Sequence, residues 1–164
     1  LLLEEFEAEA CRARGGGRLE ERLVQSVSGS TRGPVFFFRY EPGEGIAFLV
    51  AGAGHAVSRS SLGPGGTGFA LEDRLLSGIY RNSAAGLGKS LSEYLPLSRV
   101  MCTRLGIANF EAWPMIEAGK LNVRPARLLG ILVVAESGAD NGLRRDFMGV
   151  LLERASRHYA RQNV

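Results

Sequence analysis

Apolar residues form two runs of strand length in the second half of the chain. These are residues 110–116 and 128–135, and a polar segment with Gly119, Asn122 and Pro125 separates them. The two runs therefore predict a β-hairpin with a long loop. The second run, LLGILVVA, has no polar residue, so both faces of a strand formed from it would be apolar. Such a strand needs cover on both faces, so we expect it in the interior of a sheet.

A second hairpin is predicted nearer the N-terminus. Residues 35–40, VFFFRY, are aromatic and β-branched, as is typical of a strand. The segment EPGEG at 41–45 combines proline and glycine in the way that favours a tight turn. We expect residues 46–53 to form the partner strand.

Helical periodicity dominates the rest of the chain. In residues 18–28 one apolar stripe contains Leu19, Leu23, Val24 and Val27. Further helices are predicted over residues 2–14, 69–80, 91–105 and 143–162. We expect Gly15, Gly16 and Gly17 to end the first of these helices and Pro96 to interrupt the helix over 91–105. The last helix would bury Phe147, Val150, Leu151 and Ala155.

Glycine-rich segments at 52–68 and 82–89 predict long loops. Together these elements predict an α/β (α+β) domain with a mainly antiparallel sheet of five or six strands and helices on both faces. The terminal helices would pack on one face, and the loops and residues 91–105 on the other. We divide the chain into an N-terminal helical segment, 1–32, and a main domain, 33–164.

Composition narrows the function. Hydrophobic residues make up 45% and charged residues 23%, and no apolar run approaches the ~20 residues of a membrane span. The net charge is +3, but the two ends differ: residues 1–14 are rich in glutamate, and residues 143–164 in arginine. A nucleic-acid site would need a basic face with aromatic residues on it, or a helix-turn-helix motif, and the sequence indicates neither. We expect a cytoplasmic protein that binds no nucleic acid and has no membrane span in this part of the chain. Since Leu1 is not methionine, we also expect a fragment with an effector domain outside it.

The central hairpin also resembles the GAF domain family. The matching features are Trp113-Pro114-Met115-Ile116, the run 128–135, the closing helical pattern at 147–159 and the entry Leu105-Gly106-Ile107-Ala108. The resemblance covers residues 33–164 and implies a regulatory or sensory domain. Such a domain binds a small molecule, dimerises, or does both, and controls an attached output domain. We expect no enzymatic activity and a homodimer formed through the terminal helices; the sequence does not identify a cofactor or ligand.

Six residues are candidates for a ligand pocket between the sheet and the glycine-rich side. They are Tyr94, Cys102, Glu111, Trp113, Met115 and Arg127. Glu111 is an acid inside an apolar strand, so it needs a partner or water. It could orient a ligand in the pocket or pair with Arg127 across the hairpin.

Two alternatives involve the thiols. Cys11 and Cys102 are too far apart in sequence to suggest a metal site or a disulfide framework. Some GAF-like proteins reduce free methionine sulfoxide with at least two cooperating cysteines, and this is the second candidate function. Others attach a linear tetrapyrrole to a cysteine that usually has histidine beside it, whereas Thr103 follows Cys102. We expect Cys102 to be a buried structural residue.

A third candidate function is nucleotide binding through Lys89. Residues 83–90, SAAGLGKS, approach the phosphate loop G-x-x-x-x-G-K-[ST], with Ser83 in place of the first glycine. That loop follows a buried strand in its usual fold, whereas residues 75–81 look helical. We therefore expect a glycine-rich connection that holds no nucleotide. His55 and His158 have no evident partners in the sequence.

Overall fold

The computed structural model describes residues 16–31, 33–55, 57, 59–82, 91–117 and 127–135, together with Arg154 and Arg157. These residues contain five strands, three α-helices and two shorter helical turns. The strands are β1 (Val35–Glu41), β2 (Ile46–Ala53), β3 (Gly68–Ala70), β4 (Phe110–Glu117) and β5 (Arg127–Ala135). The helices are α1 (Gly16–Thr31), α2 (Asp73–Asn82) and α3 (Leu95–Val100), with a 3-10 turn at Arg59–Ser61 and a π-helical turn at Met101–Leu105.

The strands form one sheet in the order β3-β2-β1-β5-β4, and every neighbouring pair is antiparallel. Both predicted hairpins are therefore confirmed. β5 lies between β1 and β4, and each of its residues after Arg127 is buried. The apolar run at 128–135 thus has the interior position that its composition predicts, and the architecture is the predicted α+β fold.

Alternating side chains along the strands build two apolar clusters, one on each face of the sheet. The α1 face is the side that carries α1, and its buried cluster contains Leu19, Leu23, Val24, Val27, Val35, Phe37, Ala51, Trp113, Met115, Leu129, Leu132 and Val134. The loop face is the opposite side. Its buried cluster contains Phe36, Phe38, Ala47, Leu49, Phe69, Leu71, Ile79, Leu91, Leu97, Met101, Leu105, Phe110, Ala112, Leu128, Ile131 and Val133.

Helix α1 confirms the predicted stripe. Its four apolar residues are each 1% exposed, and the helix packs against β2 and β1. Its outward positions include the exposed Glu21 and Gln25. The predicted break is wrong for Gly16 and Gly17, which form the first residues of α1. Glycine is tolerated there because the first amides of a helix have no intrahelical bond to lose.

The segment between β2 and α3 differs from its prediction in two places and agrees with it near Pro96. Phe69 pairs with Ala47 in β3, so the helix predicted from residue 69 begins only at Asp73. The glycine-rich loop is compact, because the Leu49 amide donates to the Thr67 carbonyl at 2.8 Å and the Gly63 amide donates to the Leu49 carbonyl at 2.8 Å. Leu91 and Ser92 are helical, residues 93–94 are not, and α3 begins at Leu95 with Pro96 in its first turn, so the interruption predicted near Pro96 is confirmed.

No helix among the described residues is long and apolar enough to cross a bilayer. The predictions for residues 2–14, 83–90 and 143–162 concern parts of the chain that lie outside these residues, apart from Arg154 and Arg157, which are helical and exposed.

Candidate functional site

Strand β4 directs three of the predicted pocket residues, Glu111, Trp113 and Met115, toward the α1 face and not toward the loops. Trp113 and Met115 belong to the α1-face cluster, whereas Phe110 and Ala112 belong to the loop-face cluster. Glu111 shares the orientation of Trp113 because side chains two residues apart on a strand point to the same face. The prediction that these side chains face the glycine-rich loops is therefore wrong. The side chains of β4 alternate as predicted, but Glu111, Trp113 and Met115 lie on the α1 face and not on the loop face.

The predicted pairing of Glu111 with Arg127 is also wrong. The register of β4 and β5 places Glu111 opposite Val134 and Glu117 opposite Arg127. Arg127 accordingly donates from Nε to the carboxylate of Glu117, and its side chain is about half exposed. Glu111 is buried, and its Oε2 has no hydrogen-bond partner within the described part of the chain.

Cys102 is exposed, which contradicts its predicted burial. It lies in the π-helical turn, and its thiol donates a weak hydrogen bond to the Ile107 carbonyl with an S–O distance of 3.6 Å. Met101 and Leu105 take the buried positions of the same turn. The prediction rests on the usual burial of free cysteine, and that tendency does not say which side of the turn Cys102 occupies. Cys11 lies outside the described residues.

Tyr94 is the one predicted pocket residue that packs on the loop face. Its hydroxyl donates to the Ala70 carbonyl at 3.1 Å and accepts from the Glu72 amide at 3.2 Å. Its ring lies 6.3 Å from the ring of Phe69. Tyr94 thus fastens the start of α3 to the end of β3, and it helps to position the elements that cover the loop face.

Aromatic residues that the sequence analysis did not assign to a site line this face. Phe38 contacts Phe69 edge to face at a centroid distance of 5.4 Å, and Phe36 contacts His55 at 5.6 Å. The alternation in VFFFRY could have indicated them, because Phe36 and Phe38 must share a face. His55 thus has an aromatic neighbour, Phe36, which the sequence did not predict.

The two faces differ in how completely they are covered. Among the described residues of the α1 face, two apolar residues are partly buried against the core, Val50 and Ala53. On the loop face the partly buried apolar residues are Tyr40, Val57, Leu62, Leu75, Leu76, Tyr94, Val100, Ile107 and Ile116. Partly covered apolar side chains beside a few polar groups are typical of small-molecule sites. The loop face between the sheet, α2 and α3 is therefore the candidate site.

The described ranges contain no candidate metal site, because no three His, Cys, Asp or Glu side chains in them lie close enough together to hold an ion. The predicted phosphate loop with Lys89 lies outside those ranges.

Comparisons with known proteins identify the fold. No family model matches the sequence, and no curated protein matches it. Solved structures do match over nearly the whole chain. The GAF domain of a phosphoenolpyruvate-protein phosphotransferase from Coxiella burnetii is 18% identical with a TM-score of 0.67, over 99% of this chain and 92% of that one. The corresponding Acinetobacter domain is 14% identical with a TM-score of 0.67, over 99% and 92%.

Sensory proteins occur among the other matches. Residues 122 to 287 of a methyl-accepting chemotaxis protein are 14% identical with a TM-score of 0.64, over 96% of both chains. The phycoerythrobilin-bound GAF domain of a cyanobacterial phytochrome is 14% identical with a TM-score of 0.62, over 99% of this chain and 96% of that one. The chain therefore has the GAF fold, as the resemblance in the central hairpin predicts.

Proposed function

We propose that this chain is a sensory or regulatory domain that binds a small molecule on the loop face and controls an attached output domain. The observation that carries the proposal is the difference between the two faces. Among the described residues, nine apolar side chains are partly buried at the loop face and two at the α1 face. Incomplete cover of this kind leaves apolar surface for a ligand to bury. Proteins with the same fold include a methyl-accepting chemotaxis protein and a cyanobacterial phytochrome, and this supports the regulatory part of the proposal.

The strand β4 offers a physical route for the signal. Phe110 and Ala112 lie in the loop-face cluster, and the next residues of the same strand, Glu111 and Trp113, lie on the α1 face. A ligand that displaces Phe110 must therefore move the backbone that carries Glu111. Packed interiors transmit such shifts because they are close to incompressible.

Dimerisation is the second part of the proposal. The apolar stripe of α1 is already buried against the sheet of its own chain, and the exposed residues of α1 include Glu21 and Gln25. A homodimer would thus depend on apolar residues of the closing segment, which we define as residues 143–164. Light scattering at micromolar concentration tests this. A mass twice 17.7 kDa is expected, and a monomer that stays a monomer at higher concentration would contradict it.

Titration with the apolar dye 1-anilinonaphthalene-8-sulfonate tests the ligand site. We expect saturable binding by the native protein. Val57→Phe adds bulk at a partly buried position of the loop face, and Val50→Phe does the same on the α1 face. Dye binding should weaken in the first variant and persist in the second. Equal binding by both variants would argue against the loop face as the site.

A further inference from the structure

Strand β1 carries side chains of both faces of the sheet at neighbouring positions. Phe36 and Phe38 belong to the loop-face cluster, whereas Phe37 belongs to the α1-face cluster. Arg39 follows Phe37 by two residues and therefore lies on the α1 face, because side chains alternate along a strand. These four residues pair with β2 on one side and with β5 on the other. A movement of β1 that begins at one face must therefore displace side chains at the other.

An ion pair joins β1 to α1. Arg39 donates to Oε1 of Glu20 from Nη2 at 2.5 Å and from Nε at 3.1 Å. Glu20 is 1% exposed, as are its neighbours Leu19 and Leu23 in the apolar stripe of α1. A buried carboxylate is costly unless a positive charge and hydrogen bonds compensate it. The position of α1 on the sheet thus depends on where β1 holds Arg39.

A series of side-chain contacts connects the cover of the loop face to the same strand. Tyr94 is partly buried at the proposed ligand site, and its ring centroid lies 6.3 Å from that of Phe69. Phe69 meets the ring of Phe38 edge to face at 5.4 Å. Phe38 directly precedes Arg39 in the chain. Packed side chains and ion pairs of this kind can carry energetic coupling from one site to another.

We propose that the Arg39–Glu20 ion pair couples the ligand site of the loop face to the position of α1. This inference rests on the proposed function and states how occupancy of that site reaches the opposite face. A ligand that displaces Phe38 moves the backbone of β1, and the same movement withdraws Arg39 from Glu20. Ligand binding and the ion pair therefore oppose each other. Because coupling between two sites is reciprocal, a variant that lacks the pair binds a loop-face ligand more tightly.

Titration with 1-anilinonaphthalene-8-sulfonate tests the coupling, provided that Val57→Phe weakens the binding that is measured. Arg39→Met removes the charge, and we expect the Kd of the dye to fall by at least about fivefold, the lower end for coupled sites. Arg39→Lys keeps the positive charge and should bring the Kd back toward the native value. Val24→Ala loosens the packing of α1 without touching the pair, so its Kd should equal the native one. An equal fall in Val24→Ala and Arg39→Met would overturn the proposal, because general loosening of α1 would explain it.

The titration separates failure of the coupling from failure of the proposed function. The same Kd in Arg39→Met and in the native chain would overturn the coupling and leave the loop-face site in place. A native chain that shows no dye binding sensitive to Val57→Phe would overturn the proposed site, and this inference with it.

Hydrogen exchange measured by mass spectrometry tests the reverse direction in the native chain, where no variant has to fold. Saturating dye should speed the exchange of the amides of α1 by at least about fivefold, since reciprocal coupling has the same size in both directions. In Arg39→Met the dye should leave the exchange of α1 unchanged, because the pair is already absent. Exchange of α1 that does not respond to the dye in the native chain would contradict the coupling.

Discussion

The ring of Phe37 covers the backbone of Gly130 so closely that a β-carbon at Gly130 would overlap Cζ of Phe37. The Phe38 carbonyl oxygen would lie only 2.6 Å from the same β-carbon. Gly130 is buried in β5, so neither neighbour can move into solvent. The glycine in LLGILVVA therefore allows a phenylalanine of the neighbouring strand to lie across it.

Gly130→Ala should lower the free energy of unfolding by about 1–3 kcal/mol, the range for overpacking of a core. Gly78→Ala is the control, because nothing lies within 4 Å of a β-carbon built there. Gly78 is inside α2, where alanine is favoured over glycine by about 1 kcal/mol. Urea unfolding should thus give opposite signs for the two variants. A neutral Gly130→Ala would show that Phe37 can move aside.

Arg39 and Glu20 join β1 to α1. Arg39 Nη2 lies 2.5 Å and Nε 3.1 Å from Glu20 Oε1, and Glu20 is 1% exposed. Arg39→Met leaves a buried carboxylate and should cost about 2–3 kcal/mol. This is less than the ~3–5 kcal/mol for breaking a fully buried pair, since the Arg39 side chain is 35% exposed. The double variant Glu20→Met/Arg39→Met should be more stable than Arg39→Met alone. A double variant less stable than Arg39→Met would contradict this.

The exposed thiol gives a third prediction. Cys102→Ser should change the free energy of unfolding by less than about 0.5 kcal/mol, as is usual for surface substitutions. In the native chain Cys102 should react with 5,5′-dithiobis(2-nitrobenzoic acid) without denaturant, and this reaction should disappear in the variant. A native Cys102 that is protected from the reagent would show that the thiol is covered. Reduction of free methionine sulfoxide by the native chain, lost in the variant, would favour the enzymatic alternative.

The sequence predicted those parts of the fold that depend on local periodicity. The stripe of α1, the two hairpins and the interior position of β5 follow from apolar spacing alone. Pro114 in β4 also fits, because a residue without an amide hydrogen is tolerated on an edge strand, and β4 is at the edge of the described sheet.

The predicted site failed because periodicity does not say which face of a strand meets which helix. Glu111, Trp113 and Met115 were placed on one face correctly, yet that face is turned toward the side of α1. The register that pairs Arg127 with Glu117 depends on a bulge between Met115 and Ile116. No local sequence pattern predicts this bulge. Long-range pairing and face assignment are properties of the assembled sheet.

Ligand-dependent thermal stability tests the central claim, that the loop face binds a small molecule, most directly. The melting temperature of the native chain, Val57→Phe and Val50→Phe should be measured across a panel of small metabolites and linear tetrapyrroles. A ligand present at 100 times its Kd stabilises a protein by about 2.7 kcal/mol, which is a shift of several degrees. We expect at least one compound to raise the melting temperature of the native chain and of Val50→Phe, but not of Val57→Phe. A compound that stabilises Val57→Phe as much as the native chain would contradict the claim, and so would a panel in which no compound stabilises the native chain.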